Sequence, residues 1–149
     1  MAEFVENAVQ TVAPGAPVIL DTAIACPNGY VLHRNQSGIV ILRGRTNKCF
    51  ARYQVTFNGN IAIAPDGAVG PIAIGLAIDG EPLPTSRAIV TPAAAEDYFN
   101  VTSTAIITVP QGCCFNVSVE NVSESATPAT TPAPTITVQN ANLVVSRIA

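Results

Sequence analysis

Residues 99–119 alternate apolar and polar side chains with a period of two, and this period constrains the fold more than any other feature of the chain. Phe99, Val101, Ala105, Ile107 and Val109 share one parity, while Asn100, Thr102, Thr104 and Thr108 take the other. After Pro110-Gln111-Gly112 the pattern resumes, with Phe115, Val117 and Val119 inward against Asn116, Ser118 and Glu120 outward. Successive side chains of a strand point to opposite faces, so the two runs read as a hairpin with one dry and one wet face. Hairpins of this kind build sandwiches, and the other periodic segments read the same way.

The 149 residues suffice for one domain with a proper core, and the whole chain, 1–149, is read as a single unit. Of these residues 48% are hydrophobic and only 11% charged, a balance that predicts apolar surface in contact with another protein. A net charge of -3 argues against nucleic acid as a partner, because phosphate contacts need a basic patch. The one basic cluster, Arg43, Arg45, Lys48 and Arg52, is open to two readings: ordinary solvated or interface charges, or a group that binds an anionic partner. Met1–Glu6 carries two acids where a secretory signal needs bases, so export by that route is not expected. The longest apolar run, Pro71 to Ile78, has strand length, far below the roughly 20 residues of a membrane span. No membrane association is expected.

Along the chain, Val9 to Leu20 is broken by Pro14, Gly15 and Pro17 and reads as two extended edge pieces. Short strands are predicted at Tyr30–His33 and Ile39–Arg43, separated by the turn Asn35-Gln36-Ser37-Gly38. From Cys49 to Phe57 a long strand places Cys49, Ala51, Tyr53, Val55 and Phe57 on one face, and Asn58-Gly59 marks its end. The run Ile72 to Ile78 is apolar on both faces, as in a strand covered on both sides, and a subunit interface is the expected cover. Ile72, Ile74, Leu76 and Ile78, with Tyr53 and Phe57, are therefore the candidate core and interface residues. Arg87–Val90 is a short strand and Ala93–Glu96 one helical turn. The Ser/Thr/Ala/Pro-rich stretch 123–134 reads as a flexible loop, residues 1–7 as a mobile arm, and 135–148 as a closing strand interrupted at Asn140-Ala141-Asn142. Strands spaced about ten residues apart define an all-β sandwich.

This order of elements resembles the C1q/TNF-like jelly roll, and the bacterial and phage branch of that superfamily more than the animal one. The resemblance rests on Gly38-Ile39-Val40-Ile41-Leu42, the long strand ending in Asn-Gly, Ile78-Asp79-Gly80-Glu81-Pro82-Leu83-Pro84, the hairpin tip Val109-Pro110-Gln111-Gly112 and the last strand Asn140-Ala141-Asn142-Leu143-Val144-Val145. It covers almost the whole chain and implies a sandwich of about ten strands that assembles as a tight homotrimer around an apolar axis. The chain departs from familiar members in having no Gly-x-y stalk and in having four cysteines.

In the jelly-roll order the start of the long strand and the hairpin tip lie at one end, so Cys49 and Cys113, both in the inward phase, are a candidate disulfide. Cys114 then points the other way, as a free thiol or a contact between subunits. Read alone, Cys26, Cys49, Cys113 and Cys114 are equally four small buried hydrophobes in a reducing compartment. They show no Cys-x-x-Cys spacing, and even with His33 added no metal or cofactor is expected. Glu96-Asp97 reads as a loop pair, and no nucleophile motif is present. The sequons at Asn35, Asn100, Asn116 and Asn121 carry no weight without an export signal.

The expected function is therefore non-enzymatic: a virion structural protein of the capsid-decoration or head-fibre type, trimeric and assembled in the bacterial cytoplasm. In that reading the arm docks on the capsid or another virion protein through Phe4 and Val5. The alternative is a cell-surface or spore-surface recognition module that binds glycan or protein through its loops.

Overall fold

The structure, a computed structural model, describes residues 1–25, 29–125 and 132–149. Among them lie twelve strands: β1 (Ala2–Glu6), β2 (Gln10–Val12), β3 (Thr22–Ala25), β4 (Val31–His33), β5 (Val40–Arg43), β6 (Phe50–Ile63), β7 (Ile72–Ile78), β8 (Glu81–Pro82), β9 (Ala88–Val90), β10 (Phe99–Pro110), β11 (Cys114–Asn121) and β12 (Ile136–Arg147). They form two antiparallel sheets. The first runs β10-β6-β12-β1-β3, with β2 continuing the place of β1 along β12. The second runs β4-β5-β11-β7-β8, with β9 beside β7 and the stretch Gly15–Val18 taking over from β5 along the far half of β11. Among the described residues no helix is long and apolar enough to cross a membrane.

Parity decides what each sheet buries. From the first sheet Phe4, Tyr53, Val55, Phe57, Ile61, Leu143 and Val145 point inward; from the second Val40, Leu42, Ile72, Ile74, Leu76, Val117 and Val119 meet them. Each such side chain contributes roughly 1.5–3 kcal/mol on leaving water. Among the described residues the backbone forms a single 3-10 turn, Pro84–Ser86, and no helical turn at Ala93–Glu96.

Several sequence expectations need correction. Residues 1–7 are no mobile arm: β1 is hydrogen-bonded on both edges, to β12 and to β3, and Phe4 is 0% exposed in the core. The strand escapes sequence reading because it is short and rimmed by Glu3 and Glu6; its pairing partners, not its own pattern, make it a strand. Asn58-Gly59 does not end β6, which continues to Ile63 and pairs Gly59 with Val101. Here the glycine answers a packing need, since a Cβ on it would come within 2.8 Å of the Phe57 ring. Opposite it, Asn140 adopts φ 54° and the register of β12 against β6 shifts between Gln139 and Asn142, so the apparent interruption is a bulge in one continuous strand.

The two-sided burial of β7 is achieved within a single chain. Ile72, Ile74 and Leu76 enter the core, whereas the outward residues Ala73, Gly75 and Ala77 are so small that neighbours close over them. Glu120 pairs with Gly75 and Ser118 with Ala77, and the Ser118 hydroxyl donates to Glu120 Oε1 at 3.0 Å. Ser118 and Glu120, expected to be wet, are buried in the shallow trough that this glycine and these alanines leave. Phe99, expected inward, is exposed at the start of β10. The flexibility expected of 123–134 falls largely on residues 126–131, which lie outside the described residues. Ser123 itself is buried, accepting from Ala73 N–H at 2.9 Å.

Candidate functional site

β6 runs for 14 residues, roughly 45 Å, from one end of the sandwich to the other, and opposite charges collect at its two ends. At its start lie the expected basic residues Arg43, Arg45, Lys48 and Arg52, joined by Arg147, which β12 brings opposite Tyr53. These are five of the chain's seven cations. The end is built by close backbone approach: Gly44 N–H donates to Cys113 O at 2.8 Å, Gly112 N–H to Gly44 O at 3.0 Å and Gln111 N–H to Cys49 O at 2.9 Å. Gly44 has to be glycine, because a Cβ there would fall 2.0 Å from Pro110 O. Aromatic rings carry two of the guanidinium groups: Arg52 lies 4.7 Å from the Phe50 ring centre and Arg147 4.3 Å from that of Tyr30. Beneath them Tyr53 is fully buried, and its hydroxyl donates to Arg43 O at 2.5 Å. Burial pushes the Tyr53 phenol above its ordinary value, with the Arg147 guanidinium pulling the other way. Among the described residues the one ion pair is Arg87–Glu124, at 2.8 Å, so none of the five cations pairs with an Asp or Glu side chain there; Arg147 Nε donates to Ala149 O at 3.2 Å.

Three thiols share this end. Cys49, Cys113 and Cys114 are all exposed and free, and no disulfide joins Cys49 to Cys113. Extending strand parity points both cysteines inward, but Cys49 precedes β6 and Cys113 sits in the turn before β11, where alternation does not hold. Cys26 lies outside the described residues. His33 is placed elsewhere: its ring packs 4.7 Å from that of Phe4, and Nε2 lies 3.1 Å from Ser37 O. Among the described residues no three metal-ligating side chains come together.

At the opposite end the turn after β6 carries Asp66, and Glu96 N–H donates to Ile63 O at 3.1 Å, bringing Glu96 and Asp97 alongside. A cavity of about 630 Å³ opens here, walled by residues 64–71, Thr11 and 132–135, with Asp66 and Glu124 on its lining. Its wall is rich in Pro, Ala and Gly and, among the described residues, has no aromatic ring. Sequence reading missed Asp66, Glu124 and Arg147 as members of charged ends, because only the fold brings these distant positions together. Of the expected docking residues, Phe4 is sealed in the core and Val5 is half-buried on β1. Ile72, Ile74, Leu76, Tyr53 and Phe57 are core residues of the single chain, and Ile78 is half-buried.

The outer face of the first sheet differs from both ends. Gln54, Thr56 and Asn58 of β6 lie beside Thr102, Thr104 and Ile106 of β10, and short polar groups tie to one another across the ladder. Thr56 and Thr104 hydroxyls are 2.9 Å apart, and Asn100 Nδ2 donates to Asn58 Oδ1 at 2.9 Å. Ile106 stands 64% exposed among them. Arg52 and Glu3 are the charged side chains on this face among the described residues, and Glu3 accepts a hydrogen bond from Asn142.

The sequence matches no family model and no curated protein. Solved structures do resemble it. The globular domain of zebrafish complement 1qA protein aligns with a TM-score of 0.55 and 15% identity, covering 99% of this chain and 97% of that one. Eiger TNF from S. frugiperda aligns with a TM-score of 0.62 and 13% identity, covering 99% and 91%. With its two antiparallel sheets and these neighbours, the chain has the C1q/TNF-like jelly-roll fold.

Proposed function

We propose that this protein is a non-enzymatic structural module that self-associates as a homotrimer through the outer face of its first sheet. The observation that carries this reading is the composition of that face, a broad sheet surface of Thr, Asn and Gln around an exposed Ile106 with two charges. Interface centres are depleted of charge because desolvating an ion is costly, and short side chains that already satisfy one another lose little on being covered. Placement on a bacteriophage virion, as a capsid-decorating component assembled in the bacterial cytoplasm, extends the same reading from the resemblance seen in the sequence. Docking then uses an end or a loop, since β1 is committed to the sheet. A second reading, a surface module that binds a glycan or protein, is favoured by the cavity of about 630 Å³ at the loop-rich end.

Light scattering on the purified protein should give about three times its mass of 15.4 kDa. A monomer at micromolar concentration overturns the assembly. Proteomics of purified phage particles from the producing strain should then find the chain at a constant ratio to the major capsid protein; its absence from particles overturns the virion placement in favour of the second reading.

A further inference from the structure

We propose that copies of this chain, or the assemblies they form, stack end to end, with the basic end of one seated on the acidic cavity of the next. The two ends lie at opposite limits of β6 and are chemically complementary. One presents Arg43, Arg45, Lys48, Arg52 and Arg147 with no Asp or Glu partner among the described residues. The nearest acids along that ladder, Asp79 and Glu81, lie beyond Asn116, whose N–H Asp79 accepts at 3.1 Å. The other end carries Asp66, Glu96, Asp97 and Glu124, opposed among the described residues there by Arg87 alone, which Glu124 holds.

Shape agrees with charge. Arg45 and Lys48 lie exposed in the connection between β5 and β6, each a long aliphatic stem with a cationic head. The cavity offers what such a side chain needs: an apolar wall of Pro65, Ala68, Val69 and Pro132 for the stem and the carboxylates of Asp66 and Glu124 for the head. Asp66 is exposed and has no hydrogen-bond or ion-pair partner among the described residues. A second copy suits the basic end better than a polyanion does, because a chain of net charge -3 repels a polyanion at long range while its own far end is the complementary surface. The two surfaces of the contact differ, so it repeats along the strand direction and builds an open array instead of closing on itself.

Exposed charges are screened beyond about 8 Å at physiological ionic strength, so stacking should weaken as salt rises. Sedimentation velocity of the full chain in about 20 mM and about 500 mM sodium chloride tests this. At low salt the mass should grow with protein concentration in multiples of the high-salt species. Asp66→Lys should weaken stacking about tenfold, and since Asp66 holds no contact among the described residues, the fold should be untouched. Arg45→Glu with Lys48→Glu should abolish stacking. An equimolar mixture of this double variant with Asp66→Lys should stack again, each supplying the end that the other lacks. Salt-independent mass, persistent stacking of the double variant, or no recovery in the mixture overturns the proposal. So does wild-type retention on heparin, lost in the double variant, with no change of mass, which identifies a polyanion surface instead. Failure of the trimer is read separately, in the high-salt mass.

Discussion

Tyr53 shows how a single residue ties the basic end to the core. Its ring is buried, its hydroxyl holds the Arg43 carbonyl, and its ionisation is opposed by burial. Tyr53→Phe should cost about 1 kcal/mol near neutral pH, the net worth of one hydrogen bond. The folded chain keeps the phenolic proton where the unfolded chain, with an ordinary pKa of about 10, has released it. Folding stability is therefore intact below about pH 10 and falls as pH rises above it, and Tyr53→Phe should flatten that fall. Urea titrations at neutral and alkaline pH measure both effects. Asn121 makes a related point about legibility. In the sequence it stands out only as a sequon, yet the side chain is buried, donating to Val12 O at 3.1 Å and Pro134 O at 2.9 Å while accepting from Ser123 N–H at 3.1 Å. Polar residues that serve as buried joints look in a sequence like polar residues facing water, because their partners come from other strands.

Among elements, β1 and β7 invite the sharpest tests. Deleting residues 1–7 should prevent folding, since it strips β12 and β3 of a shared partner, and Phe4→Ala alone should cost about 3–5 kcal/mol in a denaturation curve. A deletion that melts as the native chain does would mean the strand is dispensable. Leu76→Asp should unfold the protein outright, as a carboxylate in this core costs several kcal/mol against a stability of about 5–15 kcal/mol; a native circular dichroism spectrum would refute that. Long elements were legible: β6, β10, β11 and β12 alternate enough to reveal a strand, and β7 shows itself as a short run apolar on both faces, while the burial of Ser118 and Glu120 on β11 was not readable. Thr22–Ala25 and Ala2–Glu6 were not, being strands of four and five residues fixed by pairing. Asn58-Gly59 misled because the same dipeptide serves a hairpin turn and a strand that needs room beside Phe57.

At the scale of the whole molecule, the sheet face proposed for the trimer can be separated from the core beneath it. Ile106→Arg places a charge on that face at a 64%-exposed position, so it should leave the melting of the folded chain native-like while light scattering reports monomer. If the variant remains trimeric, another surface makes the assembly. The overall layout was readable from periodicity, but the segregation of charge to the two ends was not, because Arg147 reaches the end that holds Arg43 only once β12 has docked. That docking has a bearing on biosynthesis. β12 follows every other strand in the chain, yet it lies inside the first sheet, between β6 and β1, and joins Glu3 to a residue 139 positions later. A ribosome delivering this chain has released the first strand long before the neighbour it needs exists, so nascent β1 waits with an open edge and the first sheet closes in one late step. Chaperone demand during translation should therefore concentrate on the N-terminal segment, the part that a finished molecule protects best.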